Sequence, residues 1–186
     1  MGKGLVEELK KEFPIRDEWV SFEIHPETPP QGVLLSERFP EAVLNRMFQN
    51  IRAAGDSLGI RFGELARLSN SRRALEASEY ARDQRHYDSF HAKVFHAYFT
   101  DIRDIGSLDV LLDLARADGL DTDELTTALE ERRYASRLDE AHAEARQLGI
   151  TAVPTFIVNG GERIIGAQSI DFFRNMLRQI QAADAS

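Results

Sequence analysis

The sequence predicts an α/β fold in which a small sheet is interrupted by a large all-helical insertion. Three observations lead to this prediction. Residues 149–166 have the pattern of a β-hairpin that begins at a proline. Alternating apolar side chains from Glu18 to Ile24 indicate one further strand. Between these two segments, residues 70–148 are helical in pattern almost without a break.

The residues before the insertion predict two helices around the first strand. One helix ends before Pro14, and its apolar face is formed by Leu5, Val6, Leu9 and Phe13. His25–Gly32 contains several prolines and is predicted to be an extended loop. The second helix begins near Pro40 and runs to about Ala54, with core-facing side chains at Leu44, Met47 and Ile51. Residues 62–68 are predicted to be irregular.

The helices of the insertion are predicted from capping residues and apolar spacing. Short polar residues cap helix N-termini, and glycine commonly follows a helix C-terminus. The residues in these positions are Ser69 or Asn70, Ser107, Gly119, Asp121 or Thr122, and Gly149. A bulky stripe on one helix is expected to pack in the core, with a ligand pocket as the alternative: Phe90, Val94, Phe95, Tyr98 and Phe99. Arg72 and Arg73 are expected on a solvated helix face.

The hairpin is predicted to begin at Val153–Pro154, because proline cannot donate to a sheet ladder and restricts the preceding residue to extended conformations. Thr155–Val158 is β-branched or aromatic throughout, as in a short, largely buried strand. Asn159–Gly160 is a strong turn signal, since both central residues of a type I′ turn need positive φ. Arg163–Ile165 then returns antiparallel. Ser169 is predicted to cap a last helix whose inward residues are Ile170, Phe173, Leu177 and Ile180.

The predicted strands are few for so many helices, and Glu18–Ile24 has no obvious parallel neighbour. A strand before Met1 would complete a βαβ unit with the first helix as its crossover. We therefore expect the first strand of the core to be absent from the chain. The edge or gap left beside Glu18–Ile24 invites pairing with another chain, so a homodimer through the exposed sheet edge is expected.

Composition bears on partners and location. The formal net charge is −8, with no basic stripe, so nucleic acid is not an expected partner. No apolar run approaches the ~20 residues that span a bilayer, and the N-terminus lacks the apolar region of a signal peptide. A cytoplasmic location with no membrane partner is therefore expected. The chain has no cysteine, which excludes a disulfide, a zinc–thiolate site and a thiol nucleophile within it.

The polar residues contain no complete catalytic constellation. His86, His91 and His96 are spaced by five residues, which turns each one about 140° from the last on a helix, so no metal site is expected there. Asp101 and Asp104 are expected to form ion pairs and caps rather than a catalytic carboxylate pair. No serine lies in a Gly-x-Ser-x-Gly elbow, and no Gly-rich loop opens a helix.

Several stretches together resemble the DsbA-like thioredoxin family, specifically its cytoplasmic FrnE-type branch. Each motif is weak alone, but their order and spacing match over essentially all of residues 1–183. The motifs are Trp19–Pro26, Ser69–Glu76, Phe95–Phe99 with Asp104–Gly106, Gly149–Phe156 and Gly166–Gln168.

The resemblance implies a thioredoxin-like core at residues 1–60 and 149–186, and a helical insertion domain at residues 61–148. It also implies a cis Val153–Pro154 bond, whereas an isolated X-Pro bond is cis in only about 5–6% of folded cases. In the family, this proline faces a redox motif and the bound substrate backbone. Val153, Pro154 and Thr155 are thus expected to bind substrate, which would be a protein or peptide thiol or disulfide.

Family members carry a Cys-x-x-Cys motif at the N-terminus of the first helix, where the helix dipole favours a thiolate. Here that motif would precede Met1, so no catalytic residue and no thiol–disulfide activity are expected in the chain as given. Kappa-class glutathione transferases and 2-hydroxychromene-2-carboxylate isomerases share the fold, use a serine instead of the first cysteine, and bind glutathione near the proline. The resemblance thus implies a DsbA-like thiol–disulfide oxidoreductase family member that is inactive as this cysteine-free chain. A glutathione-dependent transferase or isomerase of the same fold is one alternative, and a non-catalytic peptide-binding protein that uses the groove beside the cis-proline is another. Glutathione under the first alternative is the one cofactor considered.

Overall fold

The computed structural model describes residues 2–56 and 59–184. Within them, the helices are α1 (Gly2–Lys10), α2 (Leu35–Arg38), α3 (Glu41–Asp56), α4 (Arg72–Asp83), α5 (Tyr87–Phe99), α6 (Leu108–Ala117), α7 (Thr122–Glu130), α8 (Ala135–Gln147) and α9 (Ile170–Asp184). The strands are β1 (Val33–Leu34), β2 (Arg67–Leu68), β3 (Thr155–Val158) and β4 (Glu162–Ile165). None of these helices has the length and apolar character that crossing a bilayer requires.

Apolar side chains form two separate clusters. The first lies among α4, α5, α6 and α7, and its most deeply buried large members are Tyr80, Phe90, Leu111 and Leu125. The second joins α1 to the β3–β4 hairpin and α9 through Leu5, Leu9, Phe13, Ile164, Phe173 and Met176. The helical block and the hairpin region therefore each have their own core. The domain boundaries given above stay a prediction.

Helix ends follow local capping chemistry closely. Asn70 Oδ1 accepts a hydrogen bond from the Arg72 amide at 3.0 Å, and Asp121 Oδ1 accepts from the Asp123 and Glu124 amides at 3.0 Å each. Ser169 Oγ accepts from the amide of Phe172 in the first turn of α9. Ser107 occupies the N-cap position of α6 but makes no side-chain capping bond. The predicted starts of α4, α6, α7 and α9 are confirmed to within about two residues.

The hairpin is confirmed, but β3 is half-buried or exposed along its length and not largely buried, because its outer face is uncovered within the described residues. β3 and β4 pair antiparallel, with Phe156 opposite Ile164 and Val158 opposite Glu162. Asn159 and Gly160 have φ of 49° and 69°, the left-handed conformation that this turn requires. Phe156 and Ile164 pack on the core side, against α1 and α9.

The predicted strand Glu18–Ile24 is wrong, because these residues take no regular secondary structure and pair with none of the residues that the structure describes. Their burial does alternate, but with polar side chains inward. Ser21 and Glu23 are buried, whereas Val20 is 62% and Ile24 46% exposed. A strand needs a ladder partner, and here side-chain bonds to α4 hold the segment instead.

Two further expectations need correction. Residues 62–68 are not wholly irregular, since β2 pairs antiparallel with β1 through Val33–Leu68 and Leu34–Arg67. The α3 residues expected to face a core, Leu44, Met47 and Ile51, are only half-buried and belong to neither cluster. Gly55 is the one buried residue of α3. The helix is amphipathic, but little protein covers its apolar face.

Candidate functional site

The first turn of α1 packs directly against Pro154. A methyl group built on Gly2 would lie 3.2 Å from Pro154 Cβ and 3.6 Å from Phe156 Cζ, so a glycine permits this close approach. The Val153–Pro154 bond is cis, as the resemblance implies. The N-terminus of α1, where backbone N–H groups lack intrahelical acceptors, thus lies beside the proline that precedes β3. The helix end contributes a partial positive charge there.

The edge of β3 that faces away from β4 is unpaired within residues 2–56 and 59–184. The Gly166 amide donates to the Pro154 carbonyl at 2.8 Å, which makes these two residues a hydrogen-bonded pair. Antiparallel pairs alternate, so Phe156 also bonds toward β4, whereas the N–H and C=O groups of Thr155 and Ile157 point outward. Pro154 is therefore followed by a short row of free backbone donors and acceptors.

Apolar side chains surround this open edge. Val153 and Ile157 on the β3 side and Ile165 on β4 are all exposed, on the face of the hairpin that points away from the core. Exposed apolar residues beside unpaired backbone groups are typical of surfaces that receive another extended chain.

The first turn of α1 is held to the start of α5. Lys3, next to Gly2, donates to the Asp88 carbonyl at 3.2 Å and lies 3.4 Å from its carboxylate. His91, one turn further along α5, stacks on Tyr87 with ring centroids 5.0 Å apart. Burial, together with the positive charge of Lys3, lowers the pKa of His91 to about 4, so the imidazole is neutral at neutral pH.

The aromatic stripe on α5 is buried in the helical cluster on one side and exposed on the other. Phe90, Val94 and Tyr98 are buried in the helical cluster, which confirms the core-packing prediction for them. Phe95 is exposed and contacts the His91 and Phe99 rings, so the prediction is wrong for this residue. The stripe is wider than one helix–helix contact can cover.

An ion pair on α4, between Glu79 and Arg82, binds the segment around Trp19 and Ser21 to the helical block. Sequence reasoning missed it. Glu79 accepts from Ser21 Oγ at 2.7 Å and from Arg82 Nε at 2.9 Å. Arg82 also donates to the Trp19 carbonyl at 2.7 Å. A glutamate on the inward face of α4 was the available signal, since a buried carboxylate needs a charged partner.

Arg72 forms a second group of ion pairs on α4, and its side chain is only 21% exposed, so its expected place on a solvated face is wrong. Its guanidinium bonds to Glu23, Glu76 and Asp139 at 3.3, 3.2 and 2.7 Å. These contacts line a polar cleft of about 310 Å³, in which opposite charges are already paired. The cleft consequently presents little unbalanced charge to a ligand.

The remaining polar candidates have structural roles. His86 contacts the Asp118 carboxylate at 3.2 Å, and His96 contacts Asp101 at 3.0 Å. Asp104 Oδ1 accepts from the Gly106 amide, a local turn that precedes the Ser107 N-cap of α6, so this bond is not the expected helix cap. Among the described residues, no three metal-binding side chains converge.

The predicted binding residues lie together at the start of β3. Val153 is exposed, and Pro154 and Thr155 are half-buried. Thr155 Oγ1 donates to the Ala152 carbonyl at 2.7 Å, which leaves the outward backbone groups of Thr155 unobstructed by its own hydroxyl. Their substrate-binding role stays a prediction. The structure adds Ile157 and the first turn of α1 to the same site.

Comparison with known proteins gives consistent likenesses. A family model described as DSBA-like thioredoxin domain matches residues 5–178. An uncharacterized protein of Bacillus subtilis (strain 168), YwbO, is 31% identical over 184 residues, which are 97% of this chain and 90% of that protein.

Two solved structures share the fold. The crystal structure of a probable DsbA oxidoreductase from Streptomyces coelicolor matches with a TM-score of 0.87 and 22% identity, over 97% of this chain and 83% of that one. A 2-hydroxychromene-2-carboxylate isomerase matches with a TM-score of 0.79 and 17% identity, over 98% of this chain and 91% of that one. At these identities the likeness shows the fold alone.

Proposed function

This chain belongs to the DSBA-like thioredoxin domain family, and from that premise we propose that it binds an extended polypeptide along the open edge of β3. The peptide would be a segment of an unfolded protein, the class of substrate on which thiol–disulfide oxidoreductases of this family act. With no cysteine in the 186 residues, the chain itself performs no thiol–disulfide exchange.

The observation that carries the proposal is the row of outward N–H and C=O groups on Thr155 and Ile157, directly after Pro154. An added strand would satisfy these groups with main-chain hydrogen bonds, which are independent of peptide sequence. The exposed side chains of Val153 and Ile157 would contact alternate residues of the peptide. Binding is therefore expected to favour apolar segments without requiring one sequence.

A proline scan of the two hairpin edges tests the proposal. In Ile157→Pro, one outward N–H of β3 is removed and no bond to β4 is lost, because Ile157 does not bond toward β4. Arg163→Pro is the matched control, since Arg163 lies opposite Ile157 and its N–H points to the outer edge of β4. The probe is fluorescein-labelled insulin B chain, alkylated at its cysteines.

Ile157→Pro is expected to weaken binding of the labelled chain by about tenfold, which corresponds to ~1.4 kcal/mol. Arg163→Pro should leave affinity within about twofold. Equal affinity of both variants and the parent would contradict the proposal, as would a loss confined to Arg163→Pro. Thermal melting of each variant establishes that the hairpin still folds.

Two further measurements separate the alternatives. Insulin reduction in the presence of dithiothreitol should show no acceleration by this chain, because no thiolate is available to attack a disulfide. Glutathione should compete with the labelled chain only weakly. Tight glutathione binding that survives Ile157→Pro would favour a glutathione-dependent transferase or isomerase over the peptide-binding proposal.

A further inference from the structure

A second surface, away from β3, lies beside α3. A cleft of about 330 Å³ separates this helix from the segments at residues 34–36 and 64–66. Its floor is apolar, and Leu34, Leu44, Phe48 and Leu65 line it. Leu34 is 37% exposed. Leu65 packs against the helical cluster, whereas Leu34, Leu44 and Phe48 belong to neither hydrophobic cluster.

The helix on this cleft is long and poorly covered. α3 has 16 residues, and at 1.5 Å per residue it extends about 24 Å. An amphipathic helix of this length normally buries its apolar stripe against another element. Here Leu44, Met47, Phe48 and Ile51 remain half-buried.

The charges on the cleft side of α3 are arranged so that two copies of this surface can face each other with opposite charges in contact. Glu41 and Arg52 are separated by 11 positions, close to three helical turns, and both line the cleft. Glu41 forms no ion pair with any residue that the structure describes. Arg52 contacts Glu64 at 3.2 Å, with both side chains substantially exposed. In an antiparallel helix pair whose two-fold axis crosses α3 near Arg46 and Met47, midway between the two charges, Glu41 of each copy lies within one turn of Arg52 of the other.

We propose that a second copy of this chain docks on the cleft, with the two α3 helices antiparallel about a two-fold axis. The two-fold axis would repeat the Glu41–Arg52 contact, and each apolar floor would cover the other helix. The homodimer predicted through the sheet edge is the rival arrangement. That homodimer was predicted beside Glu18–Ile24, a segment that forms no strand and pairs with no other strand within the described residues, so it offers no ladder to a second copy.

The size of the surface sets the expected strength. A strip about 24 Å long and roughly 10 Å wide is smaller than the ~800 Å² per partner of a standard interface. We therefore expect a weak dimer that dissociates at concentrations on the order of 100 micromolar. Charge substitutions at its two ends should act through the Glu41–Arg52 contacts.

Sedimentation velocity over a concentration series tests the arrangement. Glu41→Arg and Arg52→Glu should each raise the dimer dissociation constant about tenfold, and the double variant should largely restore the parent value. Leu34→Asp should leave the protein monomeric. Val43→Asp is the matched control: Val43 is 49% exposed and lies about 140° around α3 from Phe48, outside the cleft, so this variant should dimerise as the parent does.

Three results would overturn this inference: a parent protein that is monomeric throughout the series, a double charge variant no better than the single ones, or an equal effect of Val43→Asp and Leu34→Asp. Ile157→Pro distinguishes the two surfaces. A dimer lost in that variant and kept in Leu34→Asp lies at the sheet edge instead. Each variant is first shown to melt within a few degrees of the parent.

Discussion

Replacing Glu79 with alanine is expected to release the segment around Trp19 from the helical block and to destabilise the protein. Glu79 is 3% exposed, and its carboxylate accepts bonds from Ser21, Arg82 and Arg137 at 2.7, 2.9 and 3.3 Å. Arg82 in turn holds the Trp19 carbonyl. Removing the carboxylate therefore leaves several partners without their shared acceptor.

The size of the effect follows from how exposed those partners are. Breaking a fully buried ion pair costs about 3–5 kcal/mol, because an uncompensated charge stays buried. The side chains of Arg82 and Arg137 are 32% and 44% exposed, and Arg137 keeps Asp83 as a partner, so water and Asp83 recover part of that cost. We expect a loss of about 2–4 kcal/mol, or roughly 5–15 °C in melting temperature for a chain of this size. Glu79→Gln, which can keep the Ser21 bond, should lie between the parent and Glu79→Ala.

Thermal melting by circular dichroism measures the stability, and the fluorescence of Trp19, the one tryptophan of the chain, measures release of its segment. Glu130→Ala is the control, since Glu130 is exposed on α7 and forms no ion pair with a described residue; its change should stay within about 0.5 kcal/mol. If Glu79→Ala melts with the control and leaves the Trp19 emission unchanged, the network does not hold this segment.

Other predictions follow from single side chains. The pKa of His91 is about 4 in the folded state, below its ordinary value, so the unfolded chain takes up a proton first and stability should fall by up to about 3 kcal/mol as the pH drops from 6.5 to 4. Denaturant titrations of the parent and His91→Phe at neutral pH and at about pH 5 check this, and a parallel pH dependence of the two proteins would contradict it. Phe90→Ala, at a fully buried site, should cost about 3–5 kcal/mol in urea unfolding, against about 1 kcal/mol or less for the exposed Phe95→Ala. Asp121→Ala should cost about 1 kcal/mol because two capping bonds are lost, whereas Ser107→Ala should be nearly neutral; equal melting temperatures for this pair would refute the capping assignment.

Features that depend on neighbouring residues were predictable from the sequence. The ends of α6 were predicted correctly from Ser107 and Gly119, because a helix forms through contacts within a few residues and Gly119, whose φ is 78°, follows the C-cap residue. The hairpin was predictable for the same reason, since Asn159 and Gly160 accept the positive φ that the turn demands. The resemblance to a known family supplied the relation between these elements, which local patterns do not contain.

Features that depend on distant partners were not predictable in this way. β1 and β2 are two residues long each, too short for any alternation to register. Arg72 reads as a surface residue until Glu23 and Asp139 are brought to it from distant parts of the chain. The exposure of Phe95 is similar, since helical spacing identifies a stripe but not how much of it another helix covers.

The segment from Glu18 to Ile24 and the strand β3 both show that a strand pattern does not by itself provide a ladder partner. Alternation of side chains depends on one segment alone, whereas a hydrogen-bonded ladder requires two segments side by side. The pattern at Val20 and Ile24 therefore could not establish a strand by itself. In the structure, Glu79 accepts a hydrogen bond from Ser21, Arg72 donates one to Glu23, and Arg82 donates one to the Trp19 carbonyl. β3, by contrast, keeps its outward backbone groups unpaired within the described residues. Unpaired backbone groups next to exposed apolar side chains gain more from an added strand than from water alone. The incomplete ladder is therefore the physical reason to expect peptide binding at Thr155 and Ile157.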